Sequence, residues 1–254
     1  MNTRETHAAS QRQHYEAIHE QYEAHYFDAA SMAYRERFIY SAMFEGLDLN
    51  GKLVADLAAG SGYNSVAVLK RFPEARVVGF DISPRACAAY KSIVGADCVE
   101  LDLTTGRDPG LRVDVALVVG GIHHCVSNLA GTFETIGQLL RPGGLLLAAE
   151  PNRDFFLERL RQRWYKVDRY FEADTERALD YDELERLTHA AFTTIDVRYM
   201  GGPAYFLILN SLVTRMPLAL KRVLARPLFA MDSLYNRLHA KRLFPYFVAR
   251  WRRR

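Results

Sequence analysis

The chain has 254 residues and a mass of 29.0 kDa, a length that fits one full domain with an elaboration, or at most two small ones. Its 49% hydrophobic and 25% charged residues exclude a disordered chain, a collagen-like repeat and a small disulfide scaffold. The net charge of +3 conceals an asymmetry: residues 204–254 carry 11 Lys or Arg and one acid, Asp232, for a net +10, whereas residues 1–203 sum to −7.

In chain order, residues 1–48 read as an N-terminal helical cap with an aromatic stripe in which Tyr15, Tyr22 and Tyr26 fall near one helical face. No apolar run there serves as a signal-peptide core, so a cytoplasmic address is expected. From residue 49 to residue 203 the pattern alternates buried strands with helices, the signature of an α/β fold. Strands are predicted at Lys52–Leu57, Arg76–Asp81, Cys98–Leu101, Val113–Val119, Leu145–Glu150 and Thr193–Tyr199. Helices are predicted over residues 63–72, after Ser83-Pro84, over Thr132–Leu140, within Asn152–Asp180, and around Leu184 and Leu187. Strands as continuously apolar as DVALVVGG require a parallel sheet covered on both faces. The last unit, residues 204–254, reads as a basic helical insertion followed by a final strand, Tyr246–Trp251. Its most apolar run, Pro203 to Leu220, is broken by Asn210 and Arg215 and falls short of the ~20 apolar residues of a membrane span. Cys87, Cys98 and Cys125 form no CxxC pair and are expected as buried thiols, with neither a disulfide framework nor a metal site.

The turn Asp56-Leu57-Ala58-Ala59-Gly60-Ser61-Gly62 joins a buried strand to a helix, where small residues admit a ligand to the backbone and to free N–H groups. Acids stand at the carboxyl ends of three successive strands, Asp56, Asp81 and Asp102, where open α/β sheets bind ligands. With these residues the sequence resembles the class I S-adenosylmethionine-dependent methyltransferases over residues 50–200, and the Pro142-Gly143-Gly144 turn before the fifth strand adds to the likeness. The resemblance implies a Rossmann-like, doubly wound, mostly parallel seven-stranded sheet with an N-terminal cap and a late helical insertion, and S-adenosyl-L-methionine as cofactor. It also implies that the turn, with Asp56, Ala58, Gly60 and Gly62, adjoins the methionine part of the cofactor. Asp81 is then expected to hold the ribose hydroxyls, Ile82 to pack on adenine and Asp102 to reach the adenine amino group, with Leu103, Gly120, Tyr22 and Tyr26 in the same cofactor set. A nicotinamide-binding domain is the rival, but Ser65 stands where its third glycine is needed, and it has no use for Asp56 or Asp102.

Methyl transfer from a sulfonium is an in-line displacement, and an acceptor of high pKa needs a base. His123 and His124 follow the fourth strand and are the candidate bases; packing against the cofactor and helix capping are their plainer roles. Glu150 is expected either to contact the acceptor or to act as a structural acid. The expected activity is methylation of a small-molecule acceptor, first an O-methyl product of specialised metabolism, then an N- or C-methyl product or a lipid-like quinone. A cofactor-binding protein without catalysis is the alternative of another class. No nucleic-acid partner is expected, because the rest of the chain is acidic and lacks a recognisable RNA-binding module. The basic segment, with Lys221, Arg222, Arg226, Arg237, Lys241 and Arg242, reads either as a peripheral contact with an anionic membrane or acidic carrier, or as a solvated lid.

Overall fold

The computed structural model describes residues 24–165 and 177–254; Tyr15 and Tyr22, and part of the helical stretch expected before Asp180, lie outside these residues. Seven strands form one sheet in the order β3-β2-β1-β4-β5-β7-β6. These are β1 (Leu53–Leu57), β2 (Arg76–Asp81), β3 (Cys98–Glu100), β4 (Val113–Val119), β5 (Leu140–Pro151), β6 (Phe192–Met200) and β7 (Tyr246–Arg253). The pairs among β1 to β5 are parallel, and β7 runs antiparallel between β5 and β6. The fold is α/β and Rossmann-like, with order reversal between β1 and β4.

Side-chain alternation sends each strand into two separate cores. Val54, Val115, Leu117, Leu147, Ala149 and Val248 enter one, and Ala55, Ala116, Val118, Leu146, Ala148 and Phe247 enter the other. Period-two patterning inside continuously apolar strands is what burial on both faces demands. The first core is closed by α1 (Ala29–Tyr34), a π-helical stretch Arg35–Tyr40, α2 (Ser41–Met43) and α3 (Tyr63–Arg71). The second is closed by α5 (Leu129–Leu139) and α7 (Tyr181–Thr188), where Phe133 meets Phe192 and Tyr181 stacks on Trp251. Between them in chain order lie α4 (Pro84–Val94), capped by Ser83 as expected from Ser-Pro, and α6 (Glu158–Tyr165). Cys87, Cys98 and Cys125 are free and buried.

Several boundaries differ from the sequence reading by one or two residues, and two differ by more. Helix α5 starts at Leu129 rather than Thr132, because the Asn128 side chain accepts from Gly131 N and caps it. Strand β5 starts at Leu140, because Arg141 to Gly144 bulges within the ladder, with Leu140 opposite Val113 and Leu145 opposite Val115.

Residues between β6 and β7 form a π-helical turn, Tyr205–Leu209, and the long helix α8 (Leu218–Tyr235). The basic reading of this segment needs one correction: Lys221 is not on the surface. It is fully buried, donating to His25 O at 2.6 Å, Ser31 Oγ at 2.6 Å and Ser211 Oγ at 3.0 Å, and pairing with Asp28. A buried ammonium is tolerated only with such partners, and removing it leaves Asp28 and two hydroxyls unsatisfied. Lys221→Met should therefore cost about 3 to 5 kcal/mol. Thermal unfolding by circular dichroism should then fall by roughly 6 to 20 °C for a domain of this size. An unchanged melting temperature would mean that the N-terminal segment is not held by this cluster.

No helix among the described residues is long and apolar enough to cross a membrane.

Candidate active site

Because the strand order reverses between β1 and β4, the crevice beyond their carboxyl ends lies between the two loops that follow them. The loop after β1 has three residues in the left-handed region, Ala58 at φ +50°, Gly60 at +53° and Gly62 at +87°. At Gly62 a Cβ would lie 2.7 Å from Tyr90 Cδ2, so this glycine is also required by the packing of α3 against α4. The loop after β4 approaches the first one closely, since a Cβ on Gly121 would lie 2.7 Å from the Ala58 Cβ.

Asp56 sits beneath the turn, wholly buried. Its Oδ2 accepts from Ser65 N at 3.1 Å and Ser65 Oγ at 2.9 Å, and its Oδ1 accepts from Asn64 Nδ2 at 3.4 Å. Tyr90 Oη lies 2.7 Å from Ser65 Oγ, and Tyr40 Oη donates to Asn64 Oδ1 at 2.8 Å, so two phenols back the network. Asp56 thus fixes the start of α3 from within. Ser65, which the sequence offered only as a missing glycine, is its main partner.

Burial pushes the Asp56 carboxyl up to about 7, against the donors from Ser65 and Asn64 that pull it down. A carboxyl raised on folding stabilises the native state fully below its unfolded value near 4, and this contribution is lost as pH rises through the folded value near 7. Asp56→Asn should remove this dependence. Urea unfolding between pH 4 and pH 8 should show wild type losing up to about 4 kcal/mol more than the variant across that window. Parallel profiles would rule the assignment out.

Asp81 ends β2 with Oδ1 accepting from Ser83 N and Oδ2 from Gly60 N, each at 2.9 Å, so it ties the glycine turn to the second strand. Burial raises its pKa, opposed by the backbone donors and by the nearby charge of His124. Ile82, next in sequence, is half-buried. Asp102 caps the short turn Leu103–Thr105, accepting from Thr104 N at 2.8 Å, and Leu103 turns into the second core. Tyr26 donates from its hydroxyl to Asn210 Oδ1 at 3.1 Å, on the segment between β6 and β7. Its neighbour Phe27 stacks on Tyr63, the first residue of α3, at 4.3 Å between centroids. The N-terminal segment therefore reaches from the glycine turn to the residues between β6 and β7.

After β4, Gly120 adopts φ +70° and the chain turns through Ile122–His124. Glu150, at the end of β5, is completely buried and collects this turn: Oε1 accepts from Gly121 N at 2.9 Å and Ile122 N at 2.7 Å. Its Oε2 lies 3.3 Å from His123 N and 2.8 Å from His123 Nδ1. A carboxylate only accepts, so Nδ1 carries the proton and Nε2 is the basic nitrogen of a ring that is 18% exposed. The rings of His123 and His124 lie 4.0 Å apart, with His124 acting on Asp81 and His123 held by Glu150.

The protein family described as a methyltransferase domain matches residues 55–146, the stretch that runs from β1 into β5. Residues 55–146 carry a methyltransferase domain. Ribosomal protein L11 methyltransferase of Aliivibrio fischeri is 31% identical to it over 137 residues, covering 48% of this chain and 46% of that one. The chain spans about half the length of the curated relatives it matches. Among solved structures, a Thermotoga maritima methyltransferase described as a possible histamine N-methyltransferase superposes with a TM-score of 0.60 at 17% identity, covering 95% of this chain and 98% of that one. The N-methyltransferase NodS of Bradyrhizobium japonicum, solved with S-adenosylhomocysteine, gives 0.58 at 10% identity, with coverages of 94% and 98%. A left-handed turn that exposes backbone, beside a buried carboxylate, would fit S-adenosylmethionine there. Asp81 is already bonded by two backbone N–H groups, and a carboxylate offers about four acceptor sites, which leaves room for hydroxyl donors.

Proposed function

We propose that the protein is an enzyme that methylates a small-molecule acceptor, the first product being an O-methyl ether formed at a hydroxyl group. The observation that carries this reading is the His123–Glu150 pair, a basic imidazole nitrogen set by a buried carboxylate at the rim of the crevice. S-adenosylmethionine, when bound, supplies an electrophilic methyl group on a sulfonium. In this reading Asp81 accepts from the ribose hydroxyls, Ile82 packs on adenine, and Gly60 and Gly62 keep the turn open to the methionine part. His123 Nε2 takes the acceptor proton as the oxygen attacks, while Glu150 stabilises the imidazolium that results. Phe27 and the residues between β6 and β7 close the crevice against water.

A protein acceptor is the second reading, prompted by the name of the ribosomal protein L11 relatives. The family match ends at residue 146, and both covering segments, Ala29–Met43 and Tyr205–Tyr235, lie outside it. In the first reading those segments build the acceptor site, and the L11 methyltransferase relative is matched over only 46% of its length, so its substrate does not come with the match. Incubating the protein and isotope-labelled S-adenosylmethionine with host extract separates the readings. Label in a low-mass product supports the first; label only in macromolecules replaces it; no label in any fraction, with S-adenosylhomocysteine still bound, leaves a cofactor-binding protein without transfer.

A further inference from the structure

We infer that the outward face of α8 is a docking surface for an anionic lipid bilayer. The helix has two unlike sides. Lys221, Ala225, Leu228, Phe229 and Asp232 recur at steps of three and four and are buried against the N-terminal segment and the sheet. The opposite side carries Leu220, Val223, Met231 and Leu234, all exposed. Val223 at 73% and Leu234 at 67% are the most exposed large aliphatic side chains among the described residues. A helix that merely covers a domain places polar groups outward. Here the solvent side is a row of aliphatic residues.

Charge on the same segment names the occupant. Lys221, Lys241 and Arg250 are committed to Asp28, to Asp154 and Asp182, and to Asp196. Arg215, Arg222, Arg226 and Arg237 stand exposed in and beside α8. The one acid of residues 204–254, Asp232, is buried, accepting from Gly202 N at 3.0 Å and Ala204 N at 2.9 Å. The exposed charge of this segment is therefore all positive. Aliphatic side chains interleaved with arginines are the composition of a helix lying in a bilayer interface, where the aliphatic groups enter the acyl boundary and the guanidinium groups reach the phosphates. The remaining −7 of the chain is repelled by the same surface, so the molecule would settle with α8 facing it. A second copy packed through this face about a two-fold axis would set arginines against arginines.

Co-sedimentation of the full chain with vesicles tests this. Binding is expected to phosphatidylcholine vesicles doped with phosphatidylglycerol, not to phosphatidylcholine alone, and should vanish as salt shortens the screening length. Arg222→Ala/Arg226→Ala should weaken it about 25-fold, roughly fivefold per charge. Val223→Ser/Leu234→Ser should weaken it by at least about tenfold through lost apolar burial. Both variants should bind S-adenosylhomocysteine like wild type in calorimetry, which separates this result from any failure of the fold or of the methyltransferase reading. Sedimentation with neither vesicle, or equal sedimentation of wild type and both variants, overturns the proposal. So does salt-insensitive self-association abolished by the Val223/Leu234 variant, which would make the face an interface between copies.

Discussion

Asp81→Ala should raise the dissociation constant for S-adenosylhomocysteine about 30- to 1000-fold, the equivalent of ~2 to 4 kcal/mol for losing charge-assisted hydrogen bonds. The size follows from two losses at once. The carboxylate that would accept from the ribose hydroxyls disappears, and so do its bonds to Ser83 N and Gly60 N, which hold the glycine turn against β2. Asp81→Asn distinguishes them: it keeps the shape but turns an amide toward one backbone donor. Its affinity should lie nearer that of the alanine variant than that of wild type. Since burial raises the Asp81 pKa, wild-type affinity should also fall on acidification at a higher pH than an ordinary carboxylate would dictate. Isothermal calorimetry across pH measures all three. Wild-type affinity in the alanine variant would remove Asp81 from the cofactor site.

His123→Ala should lower kcat by about 100-fold or more while S-adenosylhomocysteine affinity stays near wild type, the loss expected when a general base is removed. Glu150→Gln should lower kcat too, because an amide can present its NH2 to Nδ1 and favour the tautomer with the proton on Nε2. The readout that separates positioning from mere folding is the pH profile: the limb assigned to His123 should shift in the glutamine variant and disappear in the alanine variant. His124→Ala should instead act on cofactor affinity, since its charge bears on Asp81. Full turnover in both His123 and Glu150 variants would point to catalysis by positioning alone, as for an acceptor already ionised at neutral pH.

Much of this arrangement is legible in the sequence because doubly buried parallel strands leave few readings open. β2 and β4 have the bounds that their apolar runs and flanking turns predict. The acids at the ends of β1, β2 and β3 stand out because charge rarely closes an apolar strand without purpose. The role of Glu150 was less visible, though strand parity holds a clue: it shares a face with Ala148 and Leu146, toward the core that also holds Ile122. Lys221 was not legible. A lysine in an amphipathic basic run reads as solvated, and its partner Asp28 is 193 residues away in the chain. Likewise Phe27 stands beside Tyr26, and only tertiary packing decides which of two adjacent aromatics meets Tyr63.

The pairing of β6 with β7 has a bearing on how such an enzyme changes its acceptor. Met200 lies directly opposite Tyr246 in the ladder, so everything between them leaves and re-enters the sheet at one point. Facing residues of an antiparallel pair are only about 5 Å apart, which makes this excursion a loop with a closed base. Closing a loop costs little more as it grows, about 0.6 kcal/mol for each doubling of length. Insertions at exposed points between residues 201 and 245 can therefore lengthen the excursion without reopening the sheet, provided that its base and its buried residues, Lys221 among them, survive. That base is Asp232 holding the amides of Gly202 and Ala204 where the chain departs. Under the proposed function, substrate range is then free to drift in one segment while the cofactor half stays unaltered.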